Sequence, residues 1–475
     1  MRVITGSSLN AVKRLAEFAA NGAGWLSRRM GRGGGTTMPG VVMLKLRPNA
    51  IAEYAADLEH GSVLISATNG KTTTARLLTS AAKAGGYQLV TNAEGSNLER
   101  GVAAALVKGA AVADLGLFEV DEAALGTVAA ASEPTVVVLM NLFRDQLDRY
   151  GELETLVDKW QVLLDDLAAT DEPPVLVLNA DDPNVAALGA GRANVVWFGL
   201  DDTSHALAER AHAADATTCR SCNSALDVSA VFMGHIGHWT CPNCEADRPT
   251  PNVQATRVDF DGDGQTVTMQ SATAGVVTVR SPLPGLHNSY NLVAAFAAAE
   301  ALAVRTGRTF DPDAVANALG ATTAAFGRGE VVTIGDKQLR MLLAKNPTGV
   351  NQNVRTALRE NDALHVLVLL NDRTADGQDV SWIWDVDWEP LMGNLGSLTL
   401  SGDRAWDLAL RFRYGGFDMD QITVEPSIEQ ALDSALAATP AGATVQALPT
   451  YTAMLDLRSV LTERGYTAAY WNEDQ

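Results

Sequence analysis

Eight residues, Ala67-Thr68-Asn69-Gly70-Lys71-Thr72-Thr73-Thr74, combine the groups needed to hold a nucleotide phosphate. The apolar run Val63-Leu64-Ile65 precedes them. Residues 75–83 follow, with good helix formers and apolar residues at helical spacing. This order predicts a strand, a tight loop and a helix N-terminus, where backbone N–H groups and the helix dipole favour an anion. Lys71 follows the turn glycine Gly70 and can reach a terminal phosphate, and Thr72 offers its hydroxyl to magnesium. Thr68, Asn69, Gly70 and Thr73 complete the candidate ATP loop. An ordinary strand-to-helix turn would not need glycine, Lys-Thr and helix in this sequence. Ala67 at the head of the loop costs little if its φ is negative and is strained if φ is positive.

Acidic residues supply the second requirement of phosphate chemistry. Residues 114–120 read as a buried strand, with Glu119, Asp121 and Glu122 at its carboxyl end. That edge holds the ligand in open α/β sheets. Strands at residues 135–140, 175–178 and 195–199 alternate with helical segments, the pattern of a parallel α/β sheet.

The pattern breaks at residues 205–250. Cys219-x-x-Cys222 and Cys241-x-x-Cys244 have the spacing of a two-knuckle ribbon, and four thiolates close a tetrahedral shell around a structural zinc. These are the only cysteines of the chain, so a metal site is expected rather than a disulfide framework. His235 and His238 lie nearby, but four cysteines already fill the shell. A small insertion would draw folding energy from the metal.

The whole chain sets outer bounds. Its 475 residues allow two or three domains. A formal net charge of −20 disfavours a nucleic-acid partner. No long uninterrupted apolar stretch predicts a membrane span. The N-terminal residues lack a signal-peptide core, so a cytoplasmic protein is expected. Residues 1–50 should form a helix (9–29), a glycine-rich loop (31–40) able to close over substrate, and a strand (41–46). They lead into a central ATP-binding domain at 51–332, which carries the ribbon. A second, Rossmann-like α/β domain should fill 333–475.

The loop is shorter than the GxxxxGK[ST] pattern and resembles the GTNGKTTT loop of the Mur ligase family, which makes acyl phosphates from carboxylates and ATP. Asn141-Leu-Phe-Arg-Asp-Gln-Leu-Asp-Arg-Tyr150, Asn179-Ala-Asp-Asp-Pro183, His287-Asn-Ser-Tyr-Asn291 and Gly327-Arg-Gly-Glu330 extend the resemblance. It implies Mg2+ at Thr72 and Glu119, adenine contacts from Asn288 and Asn291, and Arg328 reaching the γ-phosphate from between domains. Gln146 stands where the family has a metal-binding histidine, which leaves the number of magnesium ions open. Lys159 lies near the place of a carbamylated family lysine, though its spacing suits a surface lysine better. Met341-Leu-Leu-Ala-Lys-Asn-Pro-Thr348 lacks the family's ribose-binding aspartate, and Lys345 there is placed to help with phosphate.

The loop, the inserted ribbon and Asn371-Asp-Arg-Thr-Ala-Asp-Gly-Gln-Asp-Val-Ser-Trp-Ile-Trp-Asp385 together resemble a narrower group, the Mur ligase-like subunits of lipid II isoglutaminyl synthases. That resemblance implies amidation of the α-carboxyl of D-glutamate in the lipid II stem peptide, driven by ATP through an acyl phosphate. It also implies a heterodimer with a GatD-type glutaminase; the cysteines here are committed to zinc, so the ammonia is expected from outside the chain, either free or from a partner. Such subunits lend an aspartate to the partner's catalytic histidine. Asp379, close after Gly377, is the first choice and Asp385 the second, with Trp382 and Trp384 as anchors. Lys71, Glu119 and Arg328 would serve the ligase chemistry. The rival readings are a Mur or folylpolyglutamate-type ligase adding an amino acid, and a zinc scaffold without catalysis.

Overall fold

Where the sequence runs apolar without alternation, the chain forms strands buried on both faces, as parallel sheets require. In the computed structural model, β1 (Ser62–Ser66), β3 (Leu115–Glu119) and β4 (Val136–Leu139) are buried at every position. The structure describes Gly22 and residues 37–467, apart from 93–95, 146–152, 210–213, 263, 325–326 and 360–362. The expected helix at 9–29 and most of the glycine-rich loop lie outside the described residues.

The first sheet also contains β2 (Leu89–Thr91), β5 (Val175–Asn179) and β6 (Val195–Leu200). A hairpin of β7 (Asp227–Met233) and β8 (Ile236–Thr240) stands apart as its own two-stranded sheet. The chain then returns through β9 (Val253–Asp261), β10 (Gly264–Ser271) and β11 (Gly275–Ser281). The nine-stranded order is β11-β10-β9-β6-β5-β4-β1-β3-β2. Strands β2 to β6 run parallel, as expected, whereas β9, β10 and β11 pair antiparallel with one another and extend the same sheet. β1 lies between β3 and β4, so the loops after these three strands converge at one edge. The helix Leu286–Thr306 is buried along nearly its whole length and packs against the helix Lys71–Ala84.

The strand expected at residues 41–46 is instead part of a helix, Met38–Leu46. Pro39 suits a first helical turn, and Gly40 lies so close to the helix Glu99–Gly109 that a Cβ there would sit 1.7 Å from the Arg100 carbonyl oxygen. Helix packing, which the apolar run alone does not reveal, decides the conformation.

The second sheet comprises β12 (Arg328–Ile334), β13 (Lys337–Leu342), β14 (Leu364–Leu369), β15 (Leu395–Ser401), β16 (Ile422–Val424) and β17 (Thr444–Pro449). Its order is β12-β13-β17-β14-β15-β16, parallel except for the β12–β13 pair. It opens at Arg328, ahead of the boundary expected at residue 333. Among the described residues no helix is long and apolar enough to cross a membrane.

Candidate functional site

Gly70 starts the helix Lys71–Ala84 at a φ of +94°, and a Cβ there would meet the Asn291 Oδ1 atom at 2.4 Å. Glycine is therefore required both by backbone and by space. Among the described residues only Glu133 and Asn223 combine a side chain with positive φ, so Ala67 is unstrained. The loop is held on both flanks. Asn141 Oδ1 accepts from the Asn69 N–H at 2.9 Å and its amide donates to the Asn69 carbonyl at 2.9 Å. The Thr68 hydroxyl donates to the Phe143 carbonyl at 3.3 Å and accepts from the Phe143 N–H at 3.0 Å.

These residues line one cavity of about 820 Å3 between the two sheets. Thr68 to Thr73, Glu119, Asp121 and Asn141 line it from the first sheet, and Asn288 and Asn291 from the long helix. Arg328, Lys345, Gln352 and Tyr451 line it from the second. The ATP-loop candidates and the carried-over residues thus meet in one place. Asn288 and Asn291 do so while holding the loop's helix. Thr74 Oγ1 donates to Asn291 Oδ1 at 3.3 Å, Asn291 donates to Asn288 Oδ1 at 2.9 Å, and Asn288 donates to the Pro284 carbonyl at 2.7 Å.

Lys71 does not extend toward open space. Its Nζ donates to Glu122 Oε2 at 2.7 Å and to the Ala67 carbonyl. Glu119 is buried in the lining of the same cavity, its N–H donating to Asn92 Oδ1 at 3.1 Å. Across the cleft, Lys345 Nζ sits 2.5 Å from Asp145 Oδ2, and the Asn346 and Asn69 amides bond at 3.0 Å. Burial pushes the Asp145 carboxyl above the ordinary carboxylate range, opposed chiefly by Lys345. Desolvation pulls the Lys345 ammonium down, but Asp145 and then Glu122 hold it above its usual value. His287 borders the same cavity; burial, then Arg359 and Arg328, pull its imidazole down to about 4.

The aspartates after β14 divide into three environments. Asp376 is buried, accepts from the Thr452 N–H at 2.7 Å, and burial raises its carboxyl. Asp379 is exposed and accepts from the Ser381 N–H at 2.8 Å, a bond that lowers its carboxyl. Asp385 faces Arg144 at 3.6 Å. Of the two expected anchors, Trp382 packs on the core of the second sheet, and only Trp384 stands exposed, at 46%. Trp388, which the sequence reading passed over, is the buried anchor of this segment, donating to the Ile383 carbonyl at 3.2 Å. Gly377 and Gln378, just before Asp379, line the cavity.

The four cysteine sulfurs lie within 4.8 Å of one another, with Cys219–Cys244 at 3.5 Å and Cys222–Cys241 at 3.4 Å. Zinc–sulfur bonds of about 2.3 Å place tetrahedral thiolates about 3.8 Å apart, so the set fits a metal of this kind. His238 stays outside it, bonded to the Leu200 carbonyl at 2.8 Å. Lys159 is exposed, as a surface lysine should be, and Gln146 lies outside the described residues. Sequence reasoning missed Asp145, Asn346 and the pairing of Lys71 with Glu122. Each depends on a residue far away in the chain.

Residues 65–244 match the Mur ligase middle domain and residues 343–454 the MurT ligase C-terminal domain. The chain is 29% identical over 462 residues to the Streptococcus pneumoniae protein named "Lipid II isoglutaminyl synthase (glutamine-hydrolyzing) subunit MurT", covering 96% of this chain and 98% of that protein. Among solved structures it resembles a pseudomurein peptide ligase type C from Methanothermus fervidus, with a TM-score of 0.64 at 21% identity over 85% of this chain and 79% of that one. It also resembles the MurF ligase of Thermotoga maritima in complex with ADP, with a TM-score of 0.62 at 13% identity over 90% and 85%. Both structures share its fold.

Proposed function

We propose, for a chain that belongs to the MurT branch of the Mur ligase family, that the cavity is an ATP-dependent amide-forming site serving lipid II. The substrate is the α-carboxyl of D-glutamate in the stem peptide. A carboxylate oxygen attacks the γ-phosphorus of ATP, the bond to the ADP oxygen breaks, and an acyl phosphate forms. Ammonia then displaces phosphate and leaves a carboxamide. Positioning and charge neutralisation carry most of such catalysis.

In this reading Lys71 exchanges Glu122 for phosphate when nucleotide binds, and Arg328 and Lys345 approach from the other side of the cleft. Thr68 to Thr73 cradle the phosphates, and Asn288 and Asn291 border the base. Thr72 and Glu119 would hold magnesium, which supplies charge neutralisation on the phosphates when bound. Zinc would sit among Cys219, Cys222, Cys241 and Cys244 in a folding role. The central domain runs to about the start of β12, and the rest is the C-terminal domain. The chain works in the cytoplasm.

Glutamine hydrolysis falls to a GatD-type partner, since every cysteine here lies in the ribbon. One observation carries the link: Gly377 and Gln378 line the cavity while the next residue, Asp379, faces solvent. A partner seated over Asp379 therefore lies one loop's thickness from the ligase site. Trp406, Leu410 and Tyr414, exposed at 67%, 47% and 75%, recur every four residues and so share a face of the helix Ala405–Tyr414. Tyr414 meets Trp384 at 5.8 Å, which joins this stripe to the Asp379 segment as one docking face. Aromatic patches of this kind are common binding hot spots.

Lys71→Ala tests the reading. Mass spectrometry of lipid II incubated with ATP and an ammonium salt should show amidation by the wild type and none by the folded variant. Near-normal turnover by a variant with unchanged circular dichroism would refute the phosphate-loop assignment.

A further inference from the structure

The β7–β8 hairpin turns at Gly234 and His235, between the two cysteine pairs. Two-residue hairpin turns usually expose small polar residues. Here the His235 side chain is 1% exposed and buried in the central domain. Its ring lies 4.8 Å from that of Phe143, and its Nε2 atom is 3.2 Å from Asp182 Oδ2. Neither ring nitrogen makes a well-aligned hydrogen bond.

Both neighbours of the imidazole belong to the machinery of the cleft. Asp182 Oδ2 accepts from the Leu142 N–H at 2.9 Å. The Phe143 N–H and carbonyl both bond to the Thr68 hydroxyl of the phosphate loop. Two residues further on, Asp145 holds Lys345. The remainder of the insertion grips the same place. The Trp239 indole donates to the Ala180 carbonyl at 3.1 Å, the Gly237 N–H to the Asp181 carbonyl at 2.9 Å, and Arg248 Nε to Asp181 Oδ1 at 2.6 Å. On its other side the Phe232 carbonyl accepts from Arg355 of the helix Pro347–Ala357, at 2.5 Å. The hairpin thus touches the segment after β4, the loop after β5 and the second domain.

We propose that His235 is a positioning residue for the nucleotide: packed under Phe143 and against Asp182, it holds residues 142–145 on the phosphate loop. The ribbon then acts on the ligase site as well as on its own folding. The inference rests on the reading of the cavity as the ATP site.

The test titrates ADP with magnesium into full-length wild type, His235→Ala and His235→Gln by calorimetry. Metal content, thermal midpoint, and KM for ATP and kcat in ammonia-driven amidation are measured alongside. His235→Ala should bind ADP about tenfold more weakly, the size of loss expected when a site is slightly misplaced. Its KM for ATP should rise by a similar factor with a smaller change in kcat, the mark of lost uniform binding. Metal content should stay at the wild-type level. His235→Gln, whose amide nitrogen lies about as far from the backbone as Nε2 and can donate to Asp182, should recover part of the affinity, and Phe143→Leu, outside the ribbon, should reproduce the KM shift. A wild type that binds no ADP overturns the cavity reading and this inference with it. Equal binding by wild type and His235→Ala overturns the inference alone. So does a loss that tracks metal content or thermal midpoint without rescue by glutamine, because His235 would then serve folding only.

Discussion

Lys345 Nζ, carried by the second domain, lies 2.5 Å from Oδ2 of Asp145, on the segment that follows β4. The pair spans the cleft, Lys345 lines the same cavity as Glu119 and Asp121, and the charge of Glu122 pushes both partners up. Lys345→Met leaves a buried carboxyl that burial already drives toward protonation. We expect amide formation to fall about 100-fold and stability to fall by about 1–3 kcal/mol. Pairing it with Asp145→Asn should return much of the stability and little of the activity. Urea unfolding and kcat/KM for the two single variants and the double variant measure this; additive stability losses would show that the pair does not interact.

Cys241→Ser should lower bound metal from the wild-type level and cost about 1–3 kcal/mol, as removing a metal ligand from a small insertion does. Elemental analysis and thermal unfolding decide it. A metal-free wild type, or a disulfide among the four cysteines, would contradict the zinc assignment.

His287 predicts an acid-sensitive stability. Its folded value of about 4 lies below an unfolded value of about 6.5. Below about pH 6.5 the unfolded chain takes a proton that the folded chain refuses. Stability is therefore full above that value and is lost as pH falls toward about 4, by at most about 3 kcal/mol. His287→Gln should flatten that part of the profile. Denaturant midpoints at about pH 7 and about pH 5 would disprove the assignment if wild type and variant changed in parallel.

The proposed partner face makes two separable predictions. Asp379→Asn should leave ammonia-driven amidation and subunit association largely intact while crippling glutamine-driven amidation. Selective loss in Asp385→Asn instead would keep the role and move it to that residue. Trp406→Ala and Tyr414→Ala should each cost about 2 kcal/mol of subunit affinity without touching ammonia-driven turnover. Unchanged affinity in the double variant would remove the stripe from the interface.

Much of this site is written locally. The candidate phosphate loop places Gly70 and Lys71 next to each other, and the ribbon needs two cysteine pairs at fixed spacing, so both arrangements can be read from neighbouring residues. Glu119 could be read from a buried strand that ends in acid. Pairings made by tertiary packing leave no such trace. Nothing around Asp145 announces Lys345, and counting zinc ligands set His235 aside although the fold uses it elsewhere. Residues 41–46 read as a strand from their apolar run, but they belong to a helix, Met38–Leu46, that packs on the helix Glu99–Gly109. Trp382 and Trp384 look equivalent in sequence, and only the packing of the second domain buries one and exposes the other.

The central claim, that this cleft joins ATP to a carboxylate through an acyl phosphate, has a direct test. Lipid II whose D-glutamate α-carboxyl carries heavy oxygen is amidated with ATP and ammonia, and the released phosphate is examined by mass spectrometry. The account predicts that one carboxyl oxygen appears in the phosphate for each carboxamide formed, and that Lys71→Ala abolishes both products. Amidation that releases phosphate free of the label would contradict it.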